Sequence, residues 1–304
     1  MPSEPFEADI IAAFGRHVLV RDGTGALYKA RPFGRSVAAV CGDRVRCETD
    51  ARHAEIHVTE VMPRRTALYR SSRRGEAEPV CANLSLLLVV CAPRPVPDLF
   101  VVDRYLAAAA SAGIGARLVL NKSELGADAE LRRELDEYSR LGYATLECSV
   151  RESRGLDTLV AACRGQTAAL VGQSGVGKSS LVQRIVPGAE TAIGELVRST
   201  EGRHTTSASR LYDLPEGGHL IDSPGVRDFA PAVARLEPRS LGFPDIEARA
   251  GECRFADCRH AREPDCAVRT AAANRTLPAR RYESYRRLRR LYDELLEARG
   301  PGRA

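Results

Sequence analysis

Gly172-Gln173-Ser174-Gly175-Val176-Gly177-Lys178-Ser179 is the stretch whose reading decides the fold. It reads G-x-x-x-x-G-K-[ST]. It lies between an apolar run at 167–171, patterned as a buried strand, and a segment at 178–185 with helical spacing. A strand that turns through glycines into a helix builds a phosphate cradle. The glycines let backbone N–H groups converge on the anion, and the helix N-terminus adds partial positive charge. Lys178 then reaches the β- and γ-phosphates, and the Ser179 hydroxyl is placed to ligate Mg²⁺. Gly172 to Ser180 are the expected phosphate-binding set, with Lys178 also catalytic.

Two further motifs flank the cradle in the chain. Downstream, 219–221 reads as a strand and runs into Asp222-Ser223-Pro224-Gly225. An Asp at a strand end before a tight turn is where a second Mg²⁺ ligand belongs, and Pro224 and Gly225 would face the phosphates. Upstream, a strand expected at 116–120 ends in Asn121-Lys122-Ser123-Glu124, similar to the N-K-x-D element of GTPases. In that element Asn and Lys buttress the base site. The carboxylate accepts the guanine N1–H and N2–H₂ protons, a donor pair that adenine lacks. Glu124 is one methylene longer than the usual Asp. Cys148-Ser149-Val150 is similar to the serine-containing loop that packs on the base, which adds Ser149 and Val150 to the expected contacts.

Lysine usage points to the same residues. Of 45 basic residues only Lys29, Lys122 and Lys178 are lysines. Where charge alone suffices the chain uses Arg, so a retained Lys marks a place that needs a compact ammonium on a flexible stem.

Working outward, strands alternate with helices from 84 onward, which indicates an α/β domain with a mainly parallel sheet. Before it, short strands are expected at 17–20, 26–30, 36–40, 44–48 and 56–61, with Gly23, Gly25, Gly34 and Gly42-Asp43 supplying turns. That density suggests a small closed barrel, of OB type or SH3-like. Five Arg between 64 and 74 suggest a basic linker. Beyond 238 the chain is strand-poor and ends in a helix expected at 278–298. The expected division is therefore a barrel at 1–66, a linker at 67–83, the α/β domain at 84–237 and a C-terminal domain at 238–304.

The C-terminal part carries Cys253-x₄-Cys258-x-His260-x₅-Cys266. Three thiols and an imidazole complete a tetrahedral Zn²⁺ with no open position, so the site reads as structural. The residues between the ligands are mostly charged or polar, so the segment looks too polar to bury cysteines by itself. Nine cysteines are an odd number for a disulfide framework, which points to a reducing cytoplasm. No apolar run approaches the ~20 residues of a membrane helix, and the acidic start MPSEPFEAD does not read as a secretory signal. The net charge is +5, and residues 270–304 hold nine Arg against four acids. A basic, tyrosine-bearing tail fits an anionic partner such as RNA.

In this chain the base element precedes the phosphate cradle, and D-x-P-G comes last, the order of a circular permutation. With its flanks, the chain resembles the circularly permuted bacterial GTPases of the RsgA/YjeQ type, which act in small-ribosomal-subunit biogenesis. Gly202-Arg203-His204-Thr205-Thr206-Ser207 before Arg210-Leu211-Tyr212 is similar to that family's switch segment, and Arg104-Tyr105-Leu106 is also family-like. The resemblance implies GTP hydrolysis to GDP and phosphate, stimulated by the 30S subunit late in its maturation. It also implies an OB-fold that contacts 16S rRNA, and a cytoplasmic monomer with no membrane contact. Thr206, with Thr205 close behind, matches the switch threonine for Mg²⁺ and the γ-phosphate, so Ser179, Thr206 and Asp222 form the implied Mg²⁺ set. His204 matches the position that helps place the attacking water. Val226, the residue after Gly225, has no side chain that could do so. A P-loop ATPase or kinase, suggested by Glu124, and a non-catalytic RNA-binding scaffold are the alternative readings.

Overall fold

The computed structural model describes residues 2, 4–14, 17–34, 38–50, 53, 55–72, 76–186, 209–223 and 230–299. Five strands, β1 (Phe6–Phe14), β2 (His17–Asp22), β3 (Leu27–Pro32), β4 (Arg44–Asp50) and β5 (Glu55–Val61), close into a barrel in the order 1-2-3-5-4-1. β3 and β5 are parallel and the other pairs antiparallel, the OB arrangement. Alternate residues fill the interior, among them Ile10, Val18, Val20, Ala30, Val45, Ile56 and Val58.

Of the strand expected at 36–40, only 38–40 are among the described residues, and they form no strand. Residues 38–40 lie outside the sheet, and Val40 N donates to Asp43 Oδ2 at 2.8 Å to close a turn instead. The strand that completes the barrel is β1, which the sequence pattern hides. Its register shifts between Ile10 and Ala12, so Ile10 points into the barrel while Ile11, Ala12 and Phe14 face a second core. A bulge breaks the two-residue alternation on which a strand is recognised.

The stretch expected as a linker carries a hairpin, β6 (Ala67–Ser71) with β7 (Ala77–Ala82). Leu68, Val80 and Cys81 bury into the second core, while Arg65 and Arg70 remain exposed. Then follow β8 (Leu86–Cys91), α1 (Leu99–Ser111), β9 (Gly115–Leu120), α2 (Ala129–Arg140), β10 (Thr145–Glu147), α3 (Leu156–Ala162), β11 (Thr167–Gly172), α4 (Lys178–Ile185), β12 (Ser209–Asp213) and β13 (His219–Asp222). The strands order as β10-β9-β8-β11-β13-β12, parallel except for β12. β8 is buried at every position, as a central strand covered on both faces must be. α1 and α2 pack on one face, and α3 and α4 on the other. β12 was not expected from the sequence. Its free edge pairs with β1, Ala12 opposite Arg210, so barrel and α/β sheet form one eleven-stranded sheet.

Three helices follow: α5 (Pro244–Ala250), α6 (Ala267–Ala273) and α7 (Ala279–Arg299). They enclose Phe243, Ile246, Val268, Leu277, Tyr285 and Leu288. The basic tail is only partly a solvated face. Arg281 is 1% exposed and bonds Asp245 (2.8 Å) and Asp103, whose Oδ1 also accepts from Tyr138 Oη at 2.6 Å. Arg280 pairs with Asp103 (2.7 Å) and Glu134 (2.5 Å), and Arg289 is buried against Tyr285. Arg280 and Arg281 fix α7 to α1, α2 and α5, and Arg289 ties it to the Pro238 and Arg239 carbonyls at 2.6 and 3.1 Å. The arginines left at the surface of α7 include Arg286, Arg287 and Arg290.

Candidate functional site

Parallel strands deliver the motifs to one edge. Cys91 at the end of β8 is level with Leu120 in β9, Val90 with Gly172 in β11, and Ala169 with Ile221 in β13. Asn121, Cys148, Gly172 and Asp222 therefore lie at the C-terminal edge of the sheet, where open α/β sheets bind their ligands.

The cradle is built so that only glycine fits. Gly172 has φ +147° and would place a Cβ 2.2 Å from Val90 O, and Gly177 has φ +94° and would place one 2.4 Å from Asn121 Nδ2. Lys178 opens α4 and is buried, its Nζ donating to Gly172 O and Gln173 O, both at 2.7 Å. Ser179 and Ser180 follow it, exposed at the helix start, as are Ser174 and Gly175 in the loop. Gln173 Oε1 accepts from Asp98 N at 2.9 Å, which ties the cradle to the cap of α1.

The structure joins the N-K element to the cradle directly. Asn121 is 2% exposed, and its Nδ2 donates to Val176 O at 2.9 Å. Lys122 adopts the left-handed conformation, φ +58°, and its Nζ donates to Gly175 O at 2.7 Å and Arg94 O at 3.1 Å. Two side chains from the end of β9 thus hold two carbonyls of the phosphate loop. Cys148 Sγ lies 3.7 Å from Asn121 Oδ1 and orients the amide.

Ser123 and Glu124 form a short 3-10 turn beside Ser149. A hydrogen bond from Ser149 and the charges of Arg151 and Arg154 hold the Glu124 carboxyl below its ordinary range. Its Oε2 is buried without a hydrogen-bond partner. An ionised acceptor in that condition suits a ligand donor. Ser149 is fully buried, and Val150 is half-buried next to it. Arg154, absent from the sequence-based set, donates to Ser123 Oγ at 3.1 Å, and the Arg94 carbonyl is the second one missed. Neither carries a sequence signal, since one is an ordinary surface-type arginine and the other acts through its backbone. Asp222 ends β13 beside the cradle strand, and Ser223 Oγ meets Ser209 Oγ at 2.5 Å. Pro224, Gly225, Val226, His204, Thr205 and Thr206 lie outside the described residues.

Cys253, Cys258, His260 and Cys266 converge, their ligand atoms all within 4.8 Å of one another. Cys253 Sγ and Cys266 Sγ are 3.8 Å apart, and His260 Nδ1 is 3.4 and 3.5 Å from them. This cluster could hold a metal ion. Cys258, His260 and Cys266 are buried, contrary to the polarity of the segment, because the ligands face Phe243, Val268 and Tyr285 while the intervening polar side chains point outward. Glu263 accepts from the backbone N–H groups of Arg259, Ala261 and Arg262 at 2.9–3.0 Å; against burial, which raises it, these and its own N–H hold its carboxyl at about 2. The ligand loop is thus shaped by one side chain.

The RsgA GTPase family model matches residues 61–231. The small ribosomal subunit biogenesis GTPase RsgA of Azotobacter vinelandii (strain DJ) is 42% identical over 287 residues, covering 92% of this chain and 83% of that protein. The protein of the same name from Chromohalobacter salexigens is 40% identical over 288 residues, covering 92% and 84%. The crystal structure of YjeQ from Thermotoga maritima superposes with a TM-score of 0.72 at 26% identity, covering 95% of this chain and 99% of that one. That of YloQ, described as a circularly permuted GTPase, shares the fold with a TM-score of 0.70 at 23% identity, covering 99% and 98%. A phosphate cradle held by an N-K element that precedes it in the chain, matched across nearly the whole length, has one reading: this chain belongs to the RsgA GTPase family and is a GTP-hydrolysing enzyme of circularly permuted fold.

Proposed function

We propose that this enzyme assists late assembly of the small (30S) ribosomal subunit, binding 16S rRNA and hydrolysing GTP faster when bound to the subunit. The observation that carries the reading is the identity of about two residues in five, over 92% of the chain, to proteins named for that role. The site supports the hydrolytic part. Backbone N–H groups of 172–179 and the Lys178 ammonium would bind the phosphates, and the Glu124 carboxylate with Asn121 and Lys122 would bind guanine. Ser149 and Val150 would pack on the base.

Mg²⁺ would be held by Ser179 and Asp222, with Thr206 from the switch segment, and supplies charge neutralisation at the β- and γ-oxygens. The hydroxyl at the start of α4 and the carboxylate at the end of the neighbouring β13 are oxygen donors suited to that ion. The family position of His204 makes it the residue that places the attacking water, since Val226 has no polar group to do so. For the metal cluster we infer one structural Zn²⁺. A tetrahedral ion with bonds of ~2.0–2.3 Å needs ligand atoms roughly 3.4–3.8 Å apart, as those of Cys253, Cys266 and His260 are here, with Cys258 in the same cluster. The barrel at 1–66, the segment at 67–83, the GTPase unit at 84–237 and the zinc-bearing unit at 238–304 would act as one monomer in the cytoplasm, away from membranes. No helix among the described residues is long and apolar enough to cross one.

GTP turnover with and without purified 30S subunits tests the reading. Stimulation by the subunit supports it. Turnover unchanged by saturating 30S refutes the ribosomal role and leaves the GTPase standing.

A further inference from the structure

At the root of the β6–β7 hairpin a cavity of about 260 Å³ opens between three parts of the molecule. Its walls are the entry to β6 (Arg64, Arg65, Tyr69), the end of α1 (Ala108, Ser111, Ala112) and a segment ending at Arg235-Leu236. Three arginines line it and no carboxylate does. Arg64 is neutralised elsewhere, since its Nε and Nη2 bond Asp43 at 2.7 and 2.8 Å. Arg65 and Arg235 are exposed, and neither has an acidic partner among the described residues. Arg235 Cζ lies over the Tyr69 ring, 4.4 Å from its centroid, so a cation–π contact holds the guanidinium in place.

A pair of cations set in a recess, one of them held over an aromatic ring, is an anion seat. The cavity is smaller than the ~300–1,000 Å³ that encloses a whole small molecule. It suits a single group of a larger ligand, and guanidinium edges match the oxygens of a phosphodiester. We propose that this recess receives one backbone phosphate of an RNA strand, clamped between Arg65 and Arg235. The proposal rests on the ribosomal reading above and adds a location for part of the contact.

The backbone around the recess also links it to the GTPase site. Ala232 N donates to Tyr69 O at 2.8 Å and Ser71 N to Ala230 O at 3.3 Å. The chain that leaves the D-x-P-G element is therefore bonded to the strand that carries Tyr69.

The test is 30S binding by the full-length protein as a function of salt, for wild type, Arg65→Ala, Arg235→Ala and Arg235→Lys. Each neutralised phosphate of a single strand contributes about 0.7 to the slope of log K against log salt. Each Ala variant should lower the slope by up to that amount and weaken binding several-fold, with GTP turnover in the absence of 30S unchanged. Arg235→Lys should retain most of the slope. Arg65 is exposed, so Arg65→Ala reports even if removing Arg235 from Tyr69 loosens the hairpin. Wild-type slopes in both Ala variants would overturn the recess as a phosphate seat and leave the ribosomal reading intact. No 30S binding by the wild type would overturn both.

Discussion

In the proposed mechanism, Lys178 is the residue on which hydrolysis depends most directly. Its ammonium already sits within the loop, bonded to the carbonyls of Gly172 and Gln173, and it is buried there. Lys178→Ala should lower kcat by on the order of 10²–10³-fold, the loss typical when one donor to a developing anion is removed. Lys178→Arg should also be impaired, because a planar guanidinium cannot reach both carbonyls from the same buried stem. Single-turnover GTP hydrolysis checks both, and wild-type rates in the Arg variant would contradict this account. Glu124 raises a question of reach. Ser149 holds its carboxyl ionised, and Oε2 remains without a protein donor. Guanine should be preferred over adenine, with less than the ~10⁴-fold discrimination of a fully matched polar site. Glu124→Asp should tighten GDP binding or leave it unchanged. Titration of GDP against ADP measures this, and equal affinities in both proteins would mean that 121–124 does not read the base.

At the scale of elements, the charge network around Arg281 decides how α7 is held. Asp103 on α1 receives Tyr138, Arg280 and Arg281 together. Asp103→Ala would leave a buried guanidinium with Asp245 alone, so the variant should lose about 3–5 kcal/mol in denaturant unfolding. GDP binding should persist, because the cradle makes no contact with that network. The ligand loop of the metal cluster has its own dependence on pH. Against burial, which raises it, four backbone N–H groups, its own and those of Arg259, Ala261 and Arg262, hold the Glu263 carboxyl at about 2, compared with an ordinary value of 4.5. A group depressed in the folded state stabilises it fully above the unfolded value. That contribution is lost as pH falls from about 5 toward 2. Glu263→Gln should remove it at neutral pH and speed metal loss to a chromophoric chelator by about tenfold, the low end for residues that support ligands from outside.

For the whole molecule, two of the hydrophobic cores meet at α1. One lies between the sheet and α1 and α2, and the other joins α5, α6 and α7 to the cysteine cluster, while the phosphate loop and α4 pack into a separate core on the opposite face of the sheet. Chelation should therefore unfold the segment around 253–266 while nucleotide binding continues. Structural zinc can supply ~10–16 kcal/mol in small peptides, but here the three helices keep a hydrophobic core of their own. Hydrogen exchange with and without chelator checks this, and loss of GDP binding on chelation would show that the two cores unfold as one. The continuous sheet gives barrel and GTPase unit a different relation, since β1 and β12 share backbone hydrogen bonds.

The chemistry was legible in the sequence because it depends on residue types at short spacings. The phosphate cradle, the N-K element, the aspartate that ends β13 and the cluster of three cysteines and a histidine are local patterns, and a backbone shaped to bind phosphate must place glycines where they are found. The alternation of strands and helices was legible for the same reason. What depended on partners distant in the chain was not. β1 was hidden by its bulge, and β12 and the hairpin by pairings that a linear pattern does not record. Arg280, Arg281 and Arg289 read as part of a basic tail facing an anionic partner, but Asp103, Glu134 and Asp245 are brought against two of them and the Pro238 and Arg239 carbonyls against the third. Burial of the cysteines likewise came from Phe243 and Tyr285, which a polar segment meets only after folding. Charge and polarity are properties of a residue, but whether they face water is decided by what the rest of the chain packs against them.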